Sequence, residues 1–139
     1  MTSTARNSSA GEADASVGSV AGDDPSQWPV LAARAADDKM GNNTLVIDVG
    51  DVLAITGHFV ITSGSSHRQV RAIADEVELQ LKQRADQAPL RVEGRGAFDW
   101  VLMDYGDFVV HVFHEETRSF YELERLWSDR PKVDWAAAE

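Results

Sequence analysis

The chain has 139 residues, a length for one domain with tails and too short for two ordinary domains. Its 13 Lys and Arg against 23 Asp and Glu give a formal charge of −10, which disfavours nonspecific attraction to bare nucleic acid or anionic membrane and makes a basic protein surface the natural partner. With no cysteine, disulfides, a cysteine nucleophile and thiolate zinc sites are excluded, in keeping with a reducing cytoplasm.

Residues 1–24 are dominated by Ser, Ala, Gly, Thr and acids, with Val17 and Val20 the only sizeable apolar side chains after Met1. So little apolar surface cannot offset the entropy of ordering, and a disordered tail is expected. The lone Arg6 precedes no apolar block of the roughly 7–15 residues a signal peptide needs. No run approaches the roughly 20 residues that span a bilayer, so a soluble, cytoplasmic protein with no membrane partner is expected.

Asp24-Pro25 can cap and start a helix, in which Trp28, Leu31, Ala32 and Ala35 recur at helical spacing until Gly41 stops it. Thr44 to Val49 is a nearly continuous β-branched and apolar run, suited to a strand buried on both faces, and Phe59 to Thr62 repeats the pattern. Ser66 and Gln69 stand in a capping-box relation, after which Val70, Ile73, Ala74, Val77 and Leu81 mark one face of a long helix from about Ser66 to Ala85. Leu90 to Glu93, Asp99 to Asp104 and Phe108 to Phe113 are strand-like. From Glu115 to Trp127, one or two helical turns should lay Phe120, Leu123 and Trp127 on the sheet. The order α β β α β β β α predicts a single α/β domain over 25–128, a five-stranded mixed sheet flanked by helices. Residues 129–139 read as a mobile C-terminal tail.

Thr62-Ser63-Gly64-Ser65-Ser66, between a strand and a helix, could offer backbone N–H groups to a phosphate. A Gly-Ser at this place is also similar to nucleotidyltransferases, whose domain layout is comparable, and a nucleotidyltransferase-like enzyme using Gly64-Ser65 is the alternative function. Against it, no Asp-x-Asp or Glu-x-Asp follows to hold magnesium, and no GxxxxGK[ST] loop is present. His111 and His114 sit three apart on a strand and so point to opposite faces, which argues against a shared metal. No G-x-S-x-G elbow anchors a hydrolase triad. No cofactor, metal or catalytic residue is assigned.

The turn Asp104-Tyr105-Gly106-Asp107 sets an aromatic ring between carboxylates where hairpins usually carry small polar residues. An exposed Tyr105 ringed by acids would make a docking surface, and Trp100, which shares a strand face with Leu102, lies near enough for one interface to hold both aromatics. Phe120 and Trp127 are read as core.

The ordered motifs Glu93-Gly94, Asp99-Trp100, Asp104 to Asp107, Val110 to Phe113, Arg118 with Phe120-Tyr121, and Leu123 to Trp127 together resemble the ribosomal silencing factor family, also called the Iojap family. Lys39 ahead of Ile47-Asp48-Val49, the run Phe59 to Gly64, and Arg68 to Glu76 extend the resemblance over about Leu31 to Ser128. It implies a five-stranded mixed sheet and a non-enzymatic regulator that binds the large ribosomal subunit through ribosomal protein L-fourteen, with little direct nucleic-acid contact. The bound factor would block joining of the small subunit and reduce translation when nutrients are scarce. The family contacts map onto Trp100 and Tyr105, with Glu93, Asp104 and Asp107 as neighbours for basic side chains of the partner. A homodimer of the free protein stays open. Gly57-His58 departs from the family pattern of Asp and an aromatic before the Phe59 strand, and nothing transfers to either tail.

Overall fold

The computed structural model describes residues 23–50 and 55–136. The expected N-terminal tail lies, except for its last two residues, outside the described part. Asp24 accepts a hydrogen bond from the Ser26 amide and opens a 3-10 turn, Pro25–Gln27, that runs directly into helix α1, Trp28–Asp38. Gly41 ends this segment by close approach: a Cβ there would overlap Thr62 Oγ1 and crowd the Ala36 carbonyl.

Strands β1 (Asn42–Asp48), β2 (His58–Gly64), β3 (Arg91–Glu93), β4 (Trp100–Asp104) and β5 (Phe108–His114) form one mixed sheet in the order β1-β2-β5-β4-β3. Only β2 and β5 run parallel; β1–β2, β4–β5 and β3–β4 are antiparallel. Between β2 and β3 lies α2, His67–Ala85. Ser66 caps it by accepting from the Gln69 amide at 3.1 Å, and the Gln69 side chain reaches back to the Ser65 amide at 2.7 Å. The Gln69 amide group also donates to the Lys39 and Met40 carbonyls, tying the start of α2 to the end of α1.

Both helices lie on one sheet face. Val70, Ile73, Ala74, Val77 and Leu81 of α2, with Leu31, Ala32, Ala35 and Ala36 of α1, pack on Val46, Val60, Val101, Met103, Val110 and Val112. A smaller cluster occupies the other face, where Ile47, Val49, Ile61 and Phe113 meet Leu45, Phe59, Trp100, Leu123 and Trp127. Leu123 and Trp127 belong to a 3-10 segment, Leu123–Trp127, that follows the short helix α3, Glu115–Tyr121. Phe120 departs from the expected core position and is 80 % exposed. Seven helical residues give periodicity too little length to decide which side faces inward.

The segment after Ser128 also differs from the mobile tail expected for it. Residues 129–136 are described, and the chain pairs along the outer edge of β1: Val133 donates to the Val46 carbonyl and Asp48 to that of Pro131, at 2.8 and 2.9 Å. Trp135 Nε1 donates to the Thr44 carbonyl at 3.0 Å, while Val133 and Trp135 pack against the larger core. An edge strand that would expose unpaired backbone groups is thereby covered. Among the described residues, no helix is long and apolar enough to cross a membrane.

Candidate functional site

Side chains alternate across a strand, and the register makes the helix-free face explicit. Phe59 pairs with Val109 and that with Asp104; Ile61 pairs with His111 and that with Leu102; Phe113 pairs with Trp100. Across the last ladder Leu102 opposes Glu93 and Asp104 opposes Arg91. Leu123 and Trp127 cover the β1–β2 end of this face. Towards β3, Phe59, Val109, Leu102 and Trp100 remain half-buried, an apolar band ending in Glu93, Asp104 and Arg91.

The rings in the band are held in fixed relation. Trp100 lies 4.7 Å from Phe113 and 5.2 Å from Tyr121 between centroids, and Phe59 meets His111 edge-on at 4.9 Å. Trp100 Nε1 donates to His111 Nδ1 at 3.1 Å. His111 is buried, and desolvation holds its pKa down to about 4, so the ring is neutral near pH 7. An indole N–H can only donate, so Nδ1 is the unprotonated acceptor and the hydrogen sits on Nε2.

At the charged end Arg91 serves two acids, with Nε 3.3 Å from Glu93 Oε2 and Nη2 3.9 Å from Asp104 Oδ2. Asp104 also fixes the turn, its Oδ1 accepting from the Gly106 amide at 2.8 Å. Gly94 follows Glu93 at φ +92, where a Cβ would collide with the Trp100 carbonyl. Only glycine lets the chain leave β3 so close to β4.

Trp100, Glu93 and Asp104 therefore lie on one face of the sheet, and Asp107 is exposed at the hairpin tip. Tyr105 does not join them. It lies an odd number of residues from Trp100, on the helix-covered side, and belongs to the larger core, 8 % exposed and stacked on Phe108 at 4.9 Å. Burial pushes its phenol pKa up. An exposed aromatic at the turn is thus replaced by a buried anchor that holds the hairpin from behind. Leu102 and Val109 are the contact candidates that sequence reading left out, although period-two alternation from Trp100 marks Leu102.

The other candidates resolve structurally. His114 caps α3, accepting from the Glu116 amide at 3.3 Å, and stacks on His67, far from the His111 side of the strand. The Ser65 amide is taken by Gln69, and Gly64 sits where a Cβ would crowd the Val70 amide. Among the described residues no group of three His, Cys, Asp or Glu is placed to hold a metal ion. Arg118, 7 % exposed, spends its guanidinium on the Asn42 and Asn43 carbonyls, Ser63 Oγ and Glu124, locking α3 to the ends of β1 and β2.

Comparison with known proteins places this geometry. Residues 23–139 match the model of a family described as ribosomal silencing factor during starvation. The chain is 43 % identical over 107 residues to the ribosomal silencing factor of Bacillus subtilis, covering 75 % of this chain and 87 % of that protein. It is 40 % identical over 95 residues to the mouse protein named mitochondrial assembly of ribosomal large subunit protein 1, covering 66 % of this chain and 41 % of that one. A crystal structure of a protein from Chromobacterium violaceum superimposes with a TM-score of 0.72 at 32 % identity, over 76 % of this chain and 87 % of that one. The match over most of the chain, in sequence and in fold, leaves no other assignment: this chain belongs to the ribosomal silencing factor family.

Proposed function

We propose that this chain represses translation by docking on ribosomal protein L-fourteen of the large ribosomal subunit, where its bulk keeps the small subunit from joining. The observation that carries the reading is the half-buried apolar band of Trp100, Leu102 and Val109, less covered than the helix-packed face and edged by Glu93 and Asp104. Aromatic and aliphatic centres within charged rims are the anatomy of protein interfaces. Asp107 adds negative charge at the hairpin tip, and Tyr105 supports the surface from within instead of touching the partner. A chain of charge −10 is repelled by ribosomal RNA and attracted by a basic protein patch, which favours little direct nucleic-acid contact. Docking of this kind needs no chemistry, and the reading is of a regulator that is not an enzyme and acts in the cytoplasm.

The test is co-sedimentation with purified large subunits, followed by a subunit-joining assay. Wild-type protein should travel with large subunits and lower the yield of joined ribosomes, and Leu102→Ala should do neither at the same concentration. Joining that proceeds unchanged with saturating wild-type protein would overturn the mechanism.

A further inference from the structure

We propose that His111 is a positioning residue for docking: without reaching the surface itself, it fixes which edge of the Trp100 indole faces outward, through the Nε1–H···Nδ1 hydrogen bond. The inference rests on the docking reading above and assigns that surface a buried determinant.

Three observations support it. First, the ring contacts of Trp100 with Phe113 and Tyr121 are tilted, with interplanar angles of 32° and 49°, and apolar packing of that kind is served by either edge of the indole. A hydrogen bond is directional, and the 3.1 Å bond to His111 selects one of the two flips. Second, His111 is 4 % exposed and opposes Leu102 across the ladder, in the middle of the band yet beneath its surface. Its influence on a partner must pass through Trp100 or Leu102. Third, a histidine is a costly filler for this place. With Nδ1 accepting, Nε2 carries the hydrogen, and that buried N–H finds no acceptor among the described residues. An aliphatic side chain would fill the space without such a cost, so the residue is explained by what it holds and not by what it packs.

The experiment is a double-mutant cycle on binding to large subunits, with the indole N–H proton of Trp100 followed by NMR in the free protein. His111→Leu should weaken binding about fivefold, the weight of one net hydrogen bond. His111→Asn, whose amide oxygen can take the place of Nδ1, should restore most of that loss. In a Trp100→Phe background, which keeps a ring but has no donor, the His111→Leu effect should vanish. The Trp100 indole resonance should move in His111→Leu and return towards its wild-type position in His111→Asn. If His111→Leu weakens binding equally in both backgrounds, or if Asn fails to rescue a folded protein, the positioning role is wrong. Full binding by His111→Leu while Trp100→Ala still weakens it would likewise overturn the positioning role and leave the docking face standing. Full binding by Trp100→Ala would instead overturn the docking reading.

Discussion

The two faces of the sheet are made from the same strands and nearly the same residue types, yet they end in different states. Towards α1 and α2, Val60, Val101, Met103, Val110 and Val112 are fully buried. Towards the other side, Phe59, Trp100, Leu102 and Val109 are only half covered, where a short helix and one 3-10 segment stand in place of the two long helices. Stability is concentrated on the first face and availability on the second. An open apolar band on a domain this small costs solubility, which marks it as a candidate contact surface.

Substitutions at neighbouring positions of β4 should break that contrast most sharply. Met103→Ala, opening a cavity on the helix face, should lower unfolding free energy by about 3 kcal/mol in urea titration, whereas Leu102→Ala should cost about 1 kcal/mol and chiefly lose binding. Equal losses from the two would erase the distinction between faces. A comparable effect comes from acid. The His111 pKa is depressed from 6.5 to about 4 in the folded state, so the unfolded chain binds the proton more readily. The stabilising contribution is present above pH 6.5 and is lost as pH falls towards 4, by up to about 3 kcal/mol. The wild type should show this slope in denaturant unfolding and His111→Asn should lack it; parallel pH profiles would show that the ring is not buried neutral. On the open face, Trp100→Ala should reduce binding by about 2 kcal/mol, read by co-sedimentation of the folded variant. The smallest effect belongs to the rim. Glu93→Gln with Asp107→Asn should slow association with large subunits a few-fold at low salt, with the difference disappearing at high salt, where surface charge is screened.

Much of this division can be read in the sequence. The Asp24 cap, the α2 face from Val70 to Leu81 and the five strands follow from local rules of capping and periodicity, and the structure has each of them. Trp100 and Leu102 lie two apart on one strand, so their shared face is local information as well. Tyr105 was harder to place because a turn is expected to break alternation. Here the chain stays extended long enough for its amide to bond the Phe108 carbonyl at 3.0 Å, and the ring keeps the inward phase of Val101 and Met103. Phe120 depended on the roll of a short helix that Arg118 fixes through carbonyls some 75 residues away in the chain. The pairing of Val133 with Val46 is likewise nonlocal, and a stretch carrying Pro131 and charged residues gives no strand signal of its own. The bond between Trp100 and His111 requires knowing that β4 and β5 pair with Leu102 opposite His111, a register that the turn sets and composition does not show.

The parallel pairing of β2 with β5 has a consequence for the timing of the protein's own synthesis. The central strand is the last of the five to be made, and Trp100, Leu102 and Phe59 gain their partners on that side only after Phe113, His111 and Val109 are in place. A nascent chain that has not yet released Phe108–His114 can form α1, α2 and the β1–β2 pair, but β2 then lacks its second neighbour. A prematurely terminated product is therefore an incomplete sheet with an open edge, prone to wrong partners. Only the finished molecule carries the complete half-buried band of β4 and β5.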